Sequence, residues 1–152
     1  MINKTEIEFS NLVNFTREAT KHENIYLHFD LIMDDVIKVD VKQMKKRNRT
    51  DAIEDPTIHF VEFQNVRGDK GWIYGKADYI AFEQPDYFIM VDRKKLGKYY
   101  CNVMKNNTTV IFSDDNKKIH TWYTRKGRED IFLMVNTSDL FNIKDYLINK
   151  NQ

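Results

Sequence analysis

IYLHFDLIMDDVIKVDVK, residues 25–42, decides how this chain is built. Apolar side chains recur at every second position from Ile25 to Met33 and again from Ile37 to Val41, the period of a β-strand. The acidic turn Asp34–Val36 separates the two runs, so the stretch reads as a hairpin. Ile25, Leu27, Phe29, Leu31 and Met33 make one apolar row, and Ile37, Val39 and Val41 make the other. Both rows must share a face, because a one-residue slip would put one of them in water. A three-residue loop then pairs Met33 with Ile37. Counting back, Asp30 stands opposite Asp40, and His28 opposite Lys42.

Charges on such a strand need a reason, since lysine is among the side chains least often buried. Two carboxylates facing each other lie about 5 Å apart between Cβ atoms and weaken the strand pair unless something offsets them. The offset is a proton, a basic neighbour or a divalent cation. Mg²⁺ takes oxygen donors of this kind and keeps several waters while binding one or two carboxylates and a phosphate. In that reading Asp40 holds metal and the main-chain carbonyl of Val41 adds a ligand. Lys42 sets a positive charge beside the attacking water or the pentavalent phosphate. His28 on the same face is placed to contact a scissile phosphate or a second metal, against a purely structural role. Glu23, just before the strand, either supplies a third carboxylate or partners Thr20 in a capping box. The plain alternative is a half-exposed hairpin with Lys42 in an ordinary ion pair.

Outward from the hairpin, residues 5–18 place Phe9, Leu12, Val13 and Thr16 at helical spacing. Residues 57–63, 77–82 and 87–91 read as strands, the last two flanking a turn at Gln84-Pro85. Residues 93–105 read as a helix. TVIF, HTWYT and IFLMV read as later strands, and NTSDLFNIKDYLIN as a C-terminal helix capped by Thr137 or Ser138. The mixed order makes the class α/β or α+β. The 152 residues are expected to form a single domain over 1–152.

This arrangement resembles the PD-(D/E)XK nuclease superfamily, and its small viral and phage members in particular. The likeness rests on a helix, a strand carrying Asp30, a strand carrying Asp40-Val41-Lys42, a further strand and a basic helix. REATKHENIYLHFD and VEFQNVRGDKGWIYGKADYIAF add to it. Many members carry a proline before the first acid, where this chain has Phe29. The resemblance implies a restriction-endonuclease-like core, a mixed central sheet flanked by helices. It also implies Mg²⁺- or Mn²⁺-dependent hydrolysis of phosphodiester bonds. Asp30 and Asp40 would bind metal, Lys42 would be the catalytic lysine, and Glu23 would match the extra acid of the first helical region. DNA is the expected substrate ahead of RNA. The other reading is a nuclease-fold protein without activity that binds nucleic acid or a host protein.

The remaining candidates are basic, aromatic or polar. Lys45, Lys46, Arg47 and Arg49 follow the strand and suit phosphates. Trp72 and Tyr74, in a glycine-rich stretch with Gly68, Gly71 and Gly75, suit stacking on bases, against the alternative of a packed hairpin. Glu62 and Gln64 are candidates to support the acidic centre or to orient Lys42. Asp78 is a turn cap or a further supporting acid, and Arg125, Lys126 and Arg128 crowd one turn in WYTRKGRED.

Composition bounds the classes. With 41% hydrophobic and 13% aromatic residues the chain can build an ordinary core. Its 24 basic and 23 acidic residues nearly balance, giving a net charge of +1, so charge placement matters more than charge total. One cysteine, Cys101, excludes an internal disulfide and a multi-cysteine zinc site. No apolar run is long enough to span a bilayer, and MINKTEIEFSN lacks the features of a signal peptide. A cytoplasmic protein is expected, acting in the host cytoplasm if the chain is viral. A homodimer is left open.

Overall fold

The computed structural model describes residues 3–151. It is mixed α/β, with two mixed sheets and a few helices. The chain divides into two compact units. The first comprises Met1–Gln43, Gly75–Arg93 and Ile143–Gln152, and the second Met44–Tyr74 and Lys94–Asn142.

The first unit opens with helix α1 (Lys4–Ser10). Asn3 caps it reciprocally: its Oδ1 accepts the Glu6 N–H at 2.8 Å, and its Nδ2 donates to Glu6 Oε1 at 2.6 Å. The helix expected over 5–18 ends there. Phe15–Glu18 is strand β1, paired with β2 (Leu31–Met33) through Phe15 opposite Met33 and Glu18 opposite Leu31. Asn14 anchors the change of direction, its carbonyl and amide side chain both bonded to Asp34. Phe15 and Thr16 then follow their own strand preference.

The sheet runs β1–β2–β3–β5–β6–β10, with β3 (Ile37–Lys42), β5 (Tyr79–Glu83), β6 (Tyr87–Asp92) and β10 (Tyr146–Asn149). Every neighbouring pair is antiparallel except β3 and β5. Phe9 of α1 meets Phe88 edge-on, ring centres 5.1 Å apart, in a core shared with Leu31, Val39, Val41, Ala81 and Met90. The opposite face of β3, β5 and β6 is also closed, since Ile80, Phe82, Ile89 and Val91 are fully buried. On this face Asp40 is buried, while Lys42 is partly exposed.

In the second unit β4 (Ile58–Gln64), β9 (Ile131–Asn136), β8 (Trp122–Thr124) and β7 (Val110–Phe112) form the other sheet, in that order. Its core includes Ile58, Val61, Tyr123, Leu133 and Val135. Leu96 and Tyr100 of α2 (Arg93–Val103) and Leu140 of α3 (Thr137–Ile143) are buried too. The cap of α3 is neither Thr137 nor Ser138. Asn136 Oδ1 accepts the Ser138 N–H at 2.9 Å, while the Thr137 hydroxyl donates to the Pro56 carbonyl. Nor does that helix continue to the end, because Tyr146–Asn149 leaves it to become β10. Among the described residues no helix is long and apolar enough to cross a membrane.

Candidate functional site

The β2–β3 hairpin has the expected pairing: Met33 opposite Ile37 and Leu31 opposite Val39. Its turn places Asp34 and Asp35 in left-handed backbone, at φ 48° and 65°, a conformation aspartate adopts more readily than most side chains. Counting back one step from Leu31 and on one step from Val39 brings Asp30 and Asp40 together.

The route to Asp30 is not the strand that was expected. Residues 23–27 form a short π-helical turn (Glu23–Leu27), and His28 closes it at φ 58°. Thr20 and Glu23 start that turn as a capping box: the Glu23 N–H donates to Thr20 Oγ1 at 3.2 Å, and the Thr20 N–H to Glu23 Oε1 at 2.8 Å. Ile25 and Tyr26 consequently face water and not a core. Asp30 is then held by its own bonds. Its N–H donates to the Val39 carbonyl at 2.9 Å, and its carbonyl accepts the Ala19 N–H at 2.8 Å. Oδ2 accepts the Val41 N–H at 2.7 Å and Oδ1 accepts Asn24 Nδ2 at 2.8 Å.

Asp40 is 4% exposed and lies on an interior strand. Its carboxyl hydrogen-bonds to that of Asp30, and its Oδ1 is 3.1 Å from Lys42 Nζ. Burial pushes the Asp40 carboxyl well above the usual carboxylate range; the Lys42 charge opposes this, and Asp30 adds to it. Burial therefore favours the neutral form of the Asp40 carboxyl, and the Lys42 ammonium favours the charged one. Lys42 is 26% exposed along its side chain and connects the pair to solvent. His28 is close enough to Lys42 that burial first, and the Lys42 charge second, hold its imidazole below the ordinary value.

Glu23 takes the capping role of its two readings. Arg17 grips it with two bonds, of 2.7 and 3.0 Å, and these, with the Thr20 N–H, draw its carboxyl down to about 2. It does not join the Asp30–Asp40 pair: among the described residues no three His, Cys, Asp or Glu side chains gather closely enough to hold a metal. Two hard carboxyl oxygens in contact still suit Mg²⁺, whose remaining ligands are commonly water and phosphate. The contact seen at Val41 is its N–H to Asp30, beside the carbonyl proposed as a ligand.

Asp78 clamps the site's strand. It accepts the Lys38 N–H at 2.9 Å and donates its own N–H to the Lys38 carbonyl at 2.8 Å, tying β3 to β5 two residues before Asp40. Asn24 and Arg17, the residues that orient Asp30 and Glu23, escape a sequence reading. Neither is periodic, and only the capping box nearby marks that segment as structured.

The other candidates belong to the second unit. Lys45, Lys46 and Arg49 are exposed in an irregular segment, while Arg47 Nε lies 3.2 Å from Asp55 Oδ2. Trp72 is 7% exposed, so it packs inside that unit and presents no stacking face. Tyr74 is 48% exposed beside it on a 3-10 turn (Trp72–Tyr74). The turn is possible because of Gly71, where a Cβ would stand 2.4 Å from the Glu62 carbonyl oxygen. Glu62 lies in the ladder opposite Phe132, and Gln64 donates its side-chain amide to the Glu129 carbonyl at 2.5 Å. That amide is therefore engaged within its own unit.

No family model, curated protein or solved structure matches the chain.

Proposed function

We propose that this chain is a Mg²⁺- or Mn²⁺-dependent phosphodiesterase of the PD-(D/E)XK nuclease type, acting on DNA ahead of RNA in the cytoplasm. The first unit's sheet would be its restriction-endonuclease-like core. The observation that supports this most is the contact between the Asp30 and Asp40 carboxyl groups, with Lys42 Nζ 3.1 Å from Asp40. Asp30, Asp40 and the Val41 carbonyl would hold the cation, which supplies charge for the phosphate oxygens and lowers the pKa of bound water. Lys42 offers an N–H donor to the attacked phosphate, where charge develops. Asn24 and the Val41 N–H keep Asp30 aimed at Asp40. Glu23 acts through the turn that presents Asn24.

A second reading, a nuclease-fold protein that binds without cleaving, has one observation in its favour. Asp40 is already engaged by Lys42, and Glu23 is committed to its cap. The two separate on incubation with circular and linear, single- and double-stranded nucleic acids plus Mg²⁺ or Mn²⁺. The enzyme reading expects cleavage that Asp40→Ala and Lys42→Ala each abolish in folded protein. Cleavage retained by both variants would contradict it.

A further inference from the structure

Two loops of the second unit, 65–70 and 125–130, lie side by side. The Gln64 side chain donates to the Glu129 carbonyl at 2.5 Å, and the Glu129 N–H donates to the Val66 carbonyl at 3.2 Å. Gly68, at φ 87°, passes so close to Glu129 that a Cβ there would meet its carboxylate. Each loop is tied internally. Asn65 Oδ1 accepts the N–H groups of Arg67 and Asp69, and the buried Asp130 accepts both the N–H and the Nε of Arg125.

These bonds leave a charge pattern no folding role absorbs. Arg125 is neutralised by Asp130 at 2.6 Å. Arg67, Lys70, Lys126 and Arg128 are all exposed, against the exposed acids Asp69 and Glu129. Among the described residues no ion pair engages the side chains of Arg67, Lys126 or Arg128. Lys70 Nζ lies 5.9 Å from the ring centre of the half-exposed Tyr74, whose ring is braced edge-on by Phe63. Cations on braced loops beside a supported aromatic ring match a phosphate chain carrying unpaired bases. Guanidinium groups match phosphate oxygens in the same way. An acidic protein would use the charge but not the ring.

We infer that these paired loops form a binding surface for single-stranded nucleic acid, with Arg67, Lys126 and Arg128 on the phosphates and Tyr74 stacked on a base. The inference shares its nucleic-acid ligand with the proposed function but needs no metal and none of the first unit's carboxylates.

The test uses the full chain, a labelled oligothymidylate and EDTA, so that no metal-dependent step contributes. Binding should weaken steeply with salt. Arg67→Gln/Lys126→Gln/Arg128→Gln should weaken it at least tenfold and flatten the log–log salt slope by about 2, the share of three phosphate contacts on a single strand. Tyr74→Leu should weaken it by about tenfold and Tyr74→Phe should not, because the ring is what stacks. Unchanged affinity and slope in the triple variant would overturn the surface. So would absence of binding by the wild type, or displacement by polyglutamate as readily as by unlabelled oligonucleotide. Cleavage with Mg²⁺ is scored separately. A chain that cleaves nothing, yet loses oligonucleotide on loop substitution, retains this surface and loses the enzyme; the reverse result retains only the enzyme.

Discussion

Asp40 and Glu23 are both acids of the first unit, and their surroundings drive them in opposite directions. Asp40 sits almost fully buried on an interior strand, where burial raises its carboxyl well above the usual carboxylate range and Asp30 adds to it. Glu23 sits at the start of an exposed turn, where Arg17 and the Thr20 N–H hold it ionised down to about 2. A regular strand delivers a carboxyl group to a place where its charge is costly. A capped turn delivers one to a place where its charge is already matched. Costly charge is what a cation can relieve, so under the proposed function the chemistry would fall to Asp40 and the scaffolding to Glu23.

Activity is the widest way to separate the two acids. Asp40→Ala should lower metal-dependent cleavage by at least about 10²–10³-fold, the usual loss when a group stabilising developing charge is removed. Glu23→Gln should leave most of it. An equal loss in both would return Glu23 to the metal site.

Next comes the support beneath the strand. Phe9→Ala empties a fully buried position against Phe88, Val39 and Val41 and should cost about 3–5 kcal/mol in urea unfolding. A loss below about 1 kcal/mol would mean that the core behind Asp40 is not packed as described.

Stability against pH gives a finer contrast, because the slopes oppose. The Asp40 carboxyl is raised, so the folded state keeps a proton that the unfolded chain gives up. The wild type should therefore lose stability relative to Asp40→Asn as pH rises above about 3.9, by up to about 1.4 kcal/mol per pH unit, until the folded group ionises. Glu23 is lowered, so its contribution is present above the unfolded value. The advantage of wild type over Glu23→Ala should shrink as pH falls through 4.5 toward 2. Parallel pH profiles for the two pairs, measured in EDTA, would remove the distinction.

The smallest effect belongs to Asn24, which touches Asp30 with a single 2.8 Å bond. Asn24→Ala should cost about 1 kcal/mol of stability and about tenfold in Mn²⁺ affinity. Unchanged Mn²⁺ affinity would show that the Val41 N–H alone orients Asp30.

Half of this contrast can be read from residue order. Strand β3, its partner β2, the three-residue loop and the meeting of Asp30 with Asp40 all follow from alternation and the parity of the pairing. The segment ahead of Asp30 does not, because Ile25, Leu27 and Phe29 alternate as a strand would. The Thr20–Glu23 box overrides that pattern, and the turn's bonds replace the ladder. β1 and β10 are hidden for a similar reason. Val13 and Thr16 fit a helix continuing α1, and Tyr146 to Asn149 fit one continuing α3, until pairing with β2 and β6 outweighs local preference. The division into two units is illegible because the chain passes between them at or inside regular elements, such as α2 at Arg93–Lys94, with no linker composition to mark the crossing.

The most direct measurement is Mn²⁺ binding to the whole chain by titration calorimetry, comparing wild type with Asp30→Asn and Asp40→Asn. We expect the wild type to bind Mn²⁺ and each variant to bind at least about tenfold more weakly. A wild type that takes up no Mn²⁺ at millimolar concentration, or variants that bind as the wild type does, would contradict the assignment of the Asp30–Asp40 pair as a metal site.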